Sequence, residues 1–168
     1  MRTLIYFAYG SNMSLPRLSS RISIIERLGA AQLPSHQLAF HKVGSDFSAK
    51  CDIVFTGQET DCVHGIAYNI SLQDKTILDK IEGLGSGYDE KSVQLVLNNG
   101  DSSNAVSYYA THIDSTLKPF HWYKQHVLHG AKENSLPSAY IESIEKISSE
   151  NDPDIKRNKR ELSIYDEN

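Results

Sequence analysis

The sequence has few of the features that mark secreted or membrane-spanning proteins. Its 168 residues include only two cysteines, Cys51 and Cys62. Two cysteines make no dense disulfide framework, so reduced thiols in a cytoplasmic protein are the favoured interpretation. No apolar run approaches the roughly 20 residues needed to cross a bilayer. The N-terminal segment is typical of a strand and not of a signal peptide, so we expect a cytoplasmic protein without a membrane segment.

An excess of positive charge is also missing. The net charge is −4, which argues against nucleic acid or an anionic membrane surface as the main partner. His121, His126 and His129 lie close together in the sequence, and the last two could share a helix face. No carboxylate joins them in a known metal-binding pattern. We therefore interpret them as surface or rim histidines and predict no metal site.

What remains is the composition of one folded domain. Hydrophobic residues make up 39% of the chain and charged residues 23%, and the length favours a single domain with one core. There is no internal repeat or linker. We assign residues 1–150 to the domain and residues 151–168 to a C-terminal tail. Apolar periodicity fails there and Lys156 to Glu161 form a charge run, so we expect a solvated or frayed, dispensable tail.

The hydrophobic pattern predicts an α+β fold. Short apolar or alternating segments predict six or seven strands, and Asn98 to Asp101 predict a hairpin turn between two of them. Ser71 and Asp74 resemble a capping box that opens a helix, and two further amphipathic helices follow Pro119. We predict a mixed, mostly antiparallel sheet that curls into a small β-barrel with flanking helices.

The segment Tyr9-Gly10-Ser11-Asn12 follows the first predicted strand. Gly10 has no Cβ, so the backbone there can approach a ligand closely. Consecutive amides in such a loop can form an anion-binding concavity, and a helix expected from Ser14 would add its own N-terminal amides. Ser11 and Asn12 add side-chain donors. The same residues are also typical of an ordinary turn, and that alternative stays open.

Glu82 is the second candidate for chemistry. It lies at the C-terminal end of the helix that Ser71 opens, where the negative end of the helix dipole favours a protonated carboxyl group. Such a group suits the acceptance and return of a proton near neutral pH. A solvated glutamate at a helix end is the alternative, and it is favoured on these grounds alone. Tyr88 and Tyr123 could place phenols in a pocket, but tyrosines are also frequent half-buried core residues.

Four segments, taken in order, resemble the γ-glutamylcyclotransferase family. They are Tyr6 to Met13, which contains Tyr-Gly-Ser-Asn, then Val63 to Tyr68, Leu78 to Gly83 with Gly87-Tyr88, and Gly130 to Pro137 with Tyr140. The resemblance spans nearly the whole chain except the charged tail. Glutathione-directed relatives usually carry Leu in place of Asn12, and the γ-glutamylamine group carries Thr-Leu in place of Ser11-Asn12. The sequence therefore favours the type that acts on γ-glutamyl amino acids.

This resemblance implies a small mixed β-barrel with flanking helices and one cavity. It implies a reaction in which the α-amino group of a γ-glutamyl unit attacks its own γ-carbonyl. The products are 5-oxoproline and a free amino acid or amine, and no cofactor is needed. Glu82 would be the general acid/base, Tyr9 to Asn12 would hold the glutamyl part, and Tyr88 and Tyr123 would be rim donors. The implied partner is a small-molecule γ-glutamyl substrate, and the chain is a monomer or homodimer.

Two alternatives remain open at the level of sequence. One is a related enzyme that removes a γ-glutamyl cap from a biosynthetic intermediate, with a nearly identical site. The other is a non-catalytic small-molecule binding module on the same fold. The presence of Glu82 argues against the second, because loss of that carboxylate would be the simplest route to an inactive relative.

Overall fold

The computed structural model describes residues 1–166, and its centre is a closed barrel with the strand order β1-β5-β2-β6-β7. The seven described strands are β1 (Thr3–Ala8), β2 (Glu26–Pro34), β3 (His36–Val43), β4 (Ala49–Phe55), β5 (Cys62–Ser71), β6 (Tyr88–Leu97) and β7 (Ser102–Ala110). Barrel neighbours are antiparallel except β1 and β7, which pair in parallel. The predicted mixed, mostly antiparallel barrel is confirmed.

Strands β3 and β4 form a separate two-stranded sheet beside the barrel. The amide of Ala110 in β7 donates to Asp52 Oδ1 in β4 over 2.7 Å, which ties the two sheets together. Cys51 of β4 lies in the same cleft as Tyr9 and Gly10, which follow β1. This small sheet supplies Lys42 and Cys51 to the clefts described below.

Five helices flank the sheets. They are α1 (Leu15–Ser19), α2 (Leu72–Glu82), α3 (His121–Glu133), α4 (Ser138–Glu145) and α5 (Ile155–Leu162), with short 3₁₀ turns at Ser11–Met13 and Ser163–Tyr165. None of the helices in the described part of the chain is long and apolar enough to cross a membrane.

Local sequence sets the limits of α2 as predicted. The Ser71 side chain accepts a hydrogen bond from the amide of Asp74 over 3.0 Å at the N-terminus. Gly83 ends the helix in the left-handed conformation, with φ of +73°, which glycine adopts without strain. Glu82 is therefore the last helical residue.

Helix α3 packs tightly on the 3₁₀ turn that follows β1. A Cβ at Gly130 would lie 2.5 Å from the Cβ of Met13, so only glycine allows this approach. Met13 is itself fully buried in the core. The Gly130 segment thus positions the loop after β1, although it lines none of the site.

The C-terminal segment differs from the frayed tail that we expected. It forms α5, and Glu161 contacts Arg17 with a distance of 2.6 Å between Oε2 and Nη1. The hydroxyl of Tyr165 lies 2.6 Å from Nδ1 of His126. Apolar periodicity did not reveal this segment because hydrogen bonds and an ion pair anchor it. The last two residues of the predicted tail, Glu167 and Asn168, lie outside the described residues.

The interpretation of His126 as a surface or rim histidine was wrong. Its side chain is 0% exposed, and Nε2 lies 3.1 Å from Oε2 of Glu161. Burial lowers the pKa of His126 to about 4, so the ring is neutral at pH 7. His129, one turn further along α3, remains half-exposed.

Candidate active site

The predicted site residues meet in one cleft at the end of the barrel. All seven predicted residues line it: Tyr9, Gly10, Ser11, Asn12, Glu82, Tyr88 and Tyr123. The sequence analysis missed three further lining residues, which are Tyr6, Cys51 and Tyr108. Loops, two sheets and two helices that are distant in the sequence therefore contribute to one cavity.

The carboxylate of Glu82 is fixed by one of its two oxygens. Oε1 accepts hydrogen bonds from Nδ2 of Asn12 over 2.9 Å and from Nη1 of Arg21 over 3.0 Å. The side chain is 17% exposed. Within residues 1–166, no donor lies within hydrogen-bonding distance of Oε2. This second oxygen therefore has no hydrogen-bond partner among the described residues, and Glu82 itself lines the cleft.

Asn12 has a different position from the one expected. We predicted that its side chain would donate to a ligand, but Nδ2 donates to Glu82 and to the Tyr6 hydroxyl, the latter over 3.1 Å. Its Oδ1 accepts from Arg21 over 3.0 Å. Asn12 is thus a bridge that orients the carboxylate. Arg21 was not predicted, because a single arginine just after a short helix carries no sequence signal.

Tyr88 and Tyr123 are buried in the cleft wall and do not lie at its rim. The Tyr88 hydroxyl donates to the carbonyl oxygen of Cys51 over 2.6 Å. The amide of Cys51 in turn donates to Oη of Tyr123 over 2.9 Å. Burial raises the pKa of both phenols well above the usual value, so both stay protonated. The Tyr123 oxygen is an acceptor in this contact, and its hydroxyl also contacts the Cys51 thiol.

Gly10 packs closely against the wall of the cleft. A Cβ there would lie 3.0 Å from the Cβ of Cys51 and 3.3 Å from Oη of Tyr123. The 3₁₀ turn then begins at Ser11, with the amide of Met13 donating to the carbonyl oxygen of Gly10 over 3.1 Å. The first amides of such a turn have no acceptor within it. The backbone amides of Gly10, Ser11 and Asn12 are therefore the available donors of this loop.

Helix α1 does not add the amides that we expected from a helix starting at Ser14. The amide of Leu15 donates to Oε1 of Glu133 in α3 over 2.6 Å. A carboxylate of the protein itself thus occupies this helix N-terminus, as the helix dipole favours. Any anion that binds the loop has to be held without α1.

The chain is similar in sequence and structure to several known proteins. A sequence profile described as the AIG2-like family matches residues 62–144. The γ-glutamylcyclotransferase of Bos taurus is 30% identical over 150 residues, which cover 86% of this chain and 79% of the bovine protein. The protein of the same name from Mus musculus is 29% identical over 175 residues, or 96% of this chain and 92% of the mouse protein.

The chain belongs to the γ-glutamylcyclotransferase family. A solved structure titled gamma-glutamyl cyclotransferase superposes with a TM-score of 0.82 at 27% identity, covering 90% of this chain and 92% of that one. A second, titled as an uncharacterized protein loc79017 from Homo sapiens, gives 0.79 at 26% identity, with coverages of 94% and 98%. The predicted fold and enzyme type are confirmed.

As a γ-glutamylcyclotransferase, the protein has a cleft without an activated nucleophile. Burial raises the pKa of the Cys51 thiol to about 12, so this side chain is a neutral thiol at pH 7. Among residues 1–166, no three His, Cys, Asp or Glu side chains come together in a group that could hold a metal ion. The chemistry that the described cleft offers is proton transfer by Glu82 and hydrogen bonding by amides and phenols.

Proposed function

We propose that this γ-glutamylcyclotransferase converts a γ-glutamyl amino acid or amine into 5-oxoproline and the free amino acid or amine, with Glu82 as the general acid/base. One observation carries the proposal. Glu82 lines the cleft, its Oε1 is held by Asn12 and Arg21, and its Oε2 has no described partner. A carboxylate fixed on one side and free on the other is suited to shuttling a proton.

The proton inventory of the reaction explains why a single carboxylate is enough. The α-ammonium of the glutamyl unit has three hydrogens, and the lactam nitrogen of 5-oxoproline keeps one. Glu82 accepts the first proton, and the free amine then attacks the γ-carbonyl carbon. The bond from that carbon to the leaving nitrogen breaks as Glu82 returns the proton to this nitrogen. The ring nitrogen loses the second proton when the ring closes, and Glu82 carries this proton to the leaving nitrogen as well.

The remaining catalysis comes from holding the substrate in a ring-closing conformation. Well-oriented intramolecular reactions reach effective molarities of about 10⁵ M or more. We assign the amides of Gly10, Ser11 and Asn12 to the α-carboxylate of the glutamyl unit. The same amides or the Tyr123 hydroxyl could instead stabilise negative charge on the γ-carbonyl oxygen. We also propose, from the sequence, that the protein is cytoplasmic and is a monomer or homodimer.

The test is the variant Glu82→Gln, which keeps the size of the side chain but cannot accept a proton. We expect 5-oxoproline release to fall by about 10²–10⁴-fold at an equal concentration of folded protein. Glu142→Gln, an equal charge change at an exposed position of α4, is the matched control and should retain activity. Turnover of Glu82→Gln within a few-fold of wild type would contradict the role of Glu82. If wild type binds γ-glutamyl compounds without releasing 5-oxoproline, the protein is a binding module.

A further inference from the structure

A second, larger cleft continues outward from the one that holds Glu82. The two clefts share Ser11, Glu82, Tyr88 and Tyr123. Five basic side chains line the outer cleft, and they are Arg17, Arg21, Lys42, Lys50 and Arg157. Whether these cations are already paired with carboxylates of the protein decides whether the cleft can bind an anion.

Four of these five cations already have a carboxylate partner. The pairs and their distances are Arg17–Glu161 at 2.6 Å, Arg21–Glu82 at 3.0 Å, Lys50–Asp46 at 2.9 Å and Arg157–Asp152 at 2.5 Å. Lys42 differs from the other four. Nowhere in residues 1–166 does its ammonium find a carboxylate within 4.0 Å or a hydrogen-bond acceptor.

Lys42 is nevertheless 92% buried, with only 8% of its surface exposed. Nζ lies 4.5 Å from the centroid of the Tyr88 ring. A Cβ at Gly87 would come within 3.2 Å of Nζ, so the glycine leaves room for the ammonium. Burial lowers the pKa of Lys42, and the charge of Glu82 opposes that effect. Nζ itself is not among the fully buried unpaired atoms of the described chain, so it remains accessible from the cleft, where an anionic ligand would form a charge-assisted hydrogen bond with it.

We infer that Lys42 is a specificity-determining residue that binds a carboxylate on the leaving part of the substrate. The inference rests on the proposed function, which places the glutamyl unit in the inner cleft. Lys42 lines the outer cleft and does not line the inner one. Since Glu82 borders both, the leaving nitrogen lies between them and its substituent extends toward Lys42. The enzyme thus selects leaving amines that carry a negative charge.

The test compares two substrates that differ only in that charge. γ-Glutamyl-alanine and γ-glutamyl-ethylamine have the same leaving amine except for one carboxylate. A hydrogen bond between two charged groups supports a preference of about tenfold to a hundredfold in kcat/KM for the alanine compound. In Lys42→Met this ratio should fall close to one, and Lys42→Arg should restore part of it. Lys118→Met, which removes an exposed lysine outside both clefts, should keep the wild-type ratio.

Each other outcome has a distinct meaning. Equal turnover of both substrates by wild type overturns the role of Lys42 and leaves the proposed function intact. An equal loss for both substrates in Lys42→Met also overturns it, because Lys42 would then act only as a counter-charge near Glu82. If wild type releases 5-oxoproline from neither, the proposed function fails. In that case calorimetry measures the affinity of wild type and Lys42→Met for the two compounds. If wild type binds both with equal affinity, or binds neither, the inference about Lys42 is overturned.

Discussion

Replacing Glu161 by glutamine should destabilise the whole protein, although Glu161 lies in a segment that the apolar pattern marked as dispensable. Its carboxylate contacts Arg17 over 2.6 Å and lies 3.1 Å from Nε2 of buried His126. Nearby, the hydroxyls of Tyr165 and Ser14 are 2.9 Å apart. Glu161 therefore joins α5 to α1 and α3 close to the loop of the candidate site.

The magnitude follows from how deeply the pair is buried. Breaking a fully buried ion pair costs about 3–5 kcal/mol, whereas exposed pairs contribute about 0–1 kcal/mol. The side chains of Arg17 and Glu161 are 11% and 21% exposed, between these limits. We expect Glu161→Gln to lose about 1–3 kcal/mol of the free energy of unfolding. At about 2–4 °C per kcal/mol for a chain of this size, Tm should fall by about 2–12 °C.

The effect should depend on pH in a specific direction. The hydrogen bond from His126, followed by the charge of Arg17, lowers the pKa of Glu161 from 4.5 to about 2. A lowered carboxyl pKa stabilises the fold above pH 4.5, and this stabilisation is lost as the pH falls from 4.5 to 2. Burial lowers the pKa of His126 from 6.5 to about 4, and Glu161 opposes this effect. Both proteins therefore lose stability as the pH falls from 6.5 to 4, and the variant loses more. The difference between wild type and variant should therefore persist from pH 7 to 5 and shrink below 4.5.

Thermal unfolding followed by circular dichroism at pH 7, 5 and 3 provides the measurement. Glu142→Gln again serves as the control, because it removes an equal charge from an exposed position. If Glu161→Gln and wild type unfold at the same temperature at pH 7, the contacts of Glu161 do not stabilise the fold. A difference that stays constant down to pH 3 would show that a cause other than the ionised carboxylate is responsible.

Two further predictions concern the candidate site. A γ-glutamyl substrate with its α-carboxylate amidated should lose about tenfold to a hundredfold in kcat/KM, since the loop amides would lack their anion; equal turnover of the amide would show that Gly10 to Asn12 are not the anchor. Asn12→Leu should lower kcat for 5-oxoproline release by about tenfold or more, because Glu82 and the Tyr6 hydroxyl lose a shared donor; an unchanged kcat would mean that Arg21 alone orients the carboxylate.

Local signals explain which parts of the fold could be predicted. The limits of α2 depend on Ser71 and Gly83, which act on their own helix. The turn between β6 and β7 depends on Asn98 to Asp101, with the amide of Gly100 donating to the carbonyl oxygen of Leu97. Barrel closure has no such signal. It pairs Tyr6 of β1 with Val106 of β7, and alternation within a strand does not specify a partner so far away in the sequence.

Only some residues of the candidate site could be predicted from the sequence. Motif resemblance identified positions such as Asn12 and Glu82, which are 70 residues apart and lie in contact. It did not identify Arg21 or Lys42, because an arginine in a turn and a lysine on a strand are both typical of a solvated surface. Their roles depend on what surrounds them after folding. Burial, partners and the absence of partners become visible only in the structure.

The contacts of Asn12 in the structure limit what the residue at position 12 indicates about the substrate. Asn12 donates to the carboxylate of Glu82 and accepts from Arg21, so its side chain faces the proposed acid/base. A leucine at this position could make neither contact, and the glutamate would keep only Arg21 as a donor. Position 12 is therefore evidence about how the carboxylate is held. Evidence about the leaving group has to come from side chains beyond Glu82. In the outer cleft of the described chain, Lys42 is the basic side chain that has no carboxylate within 4.0 Å.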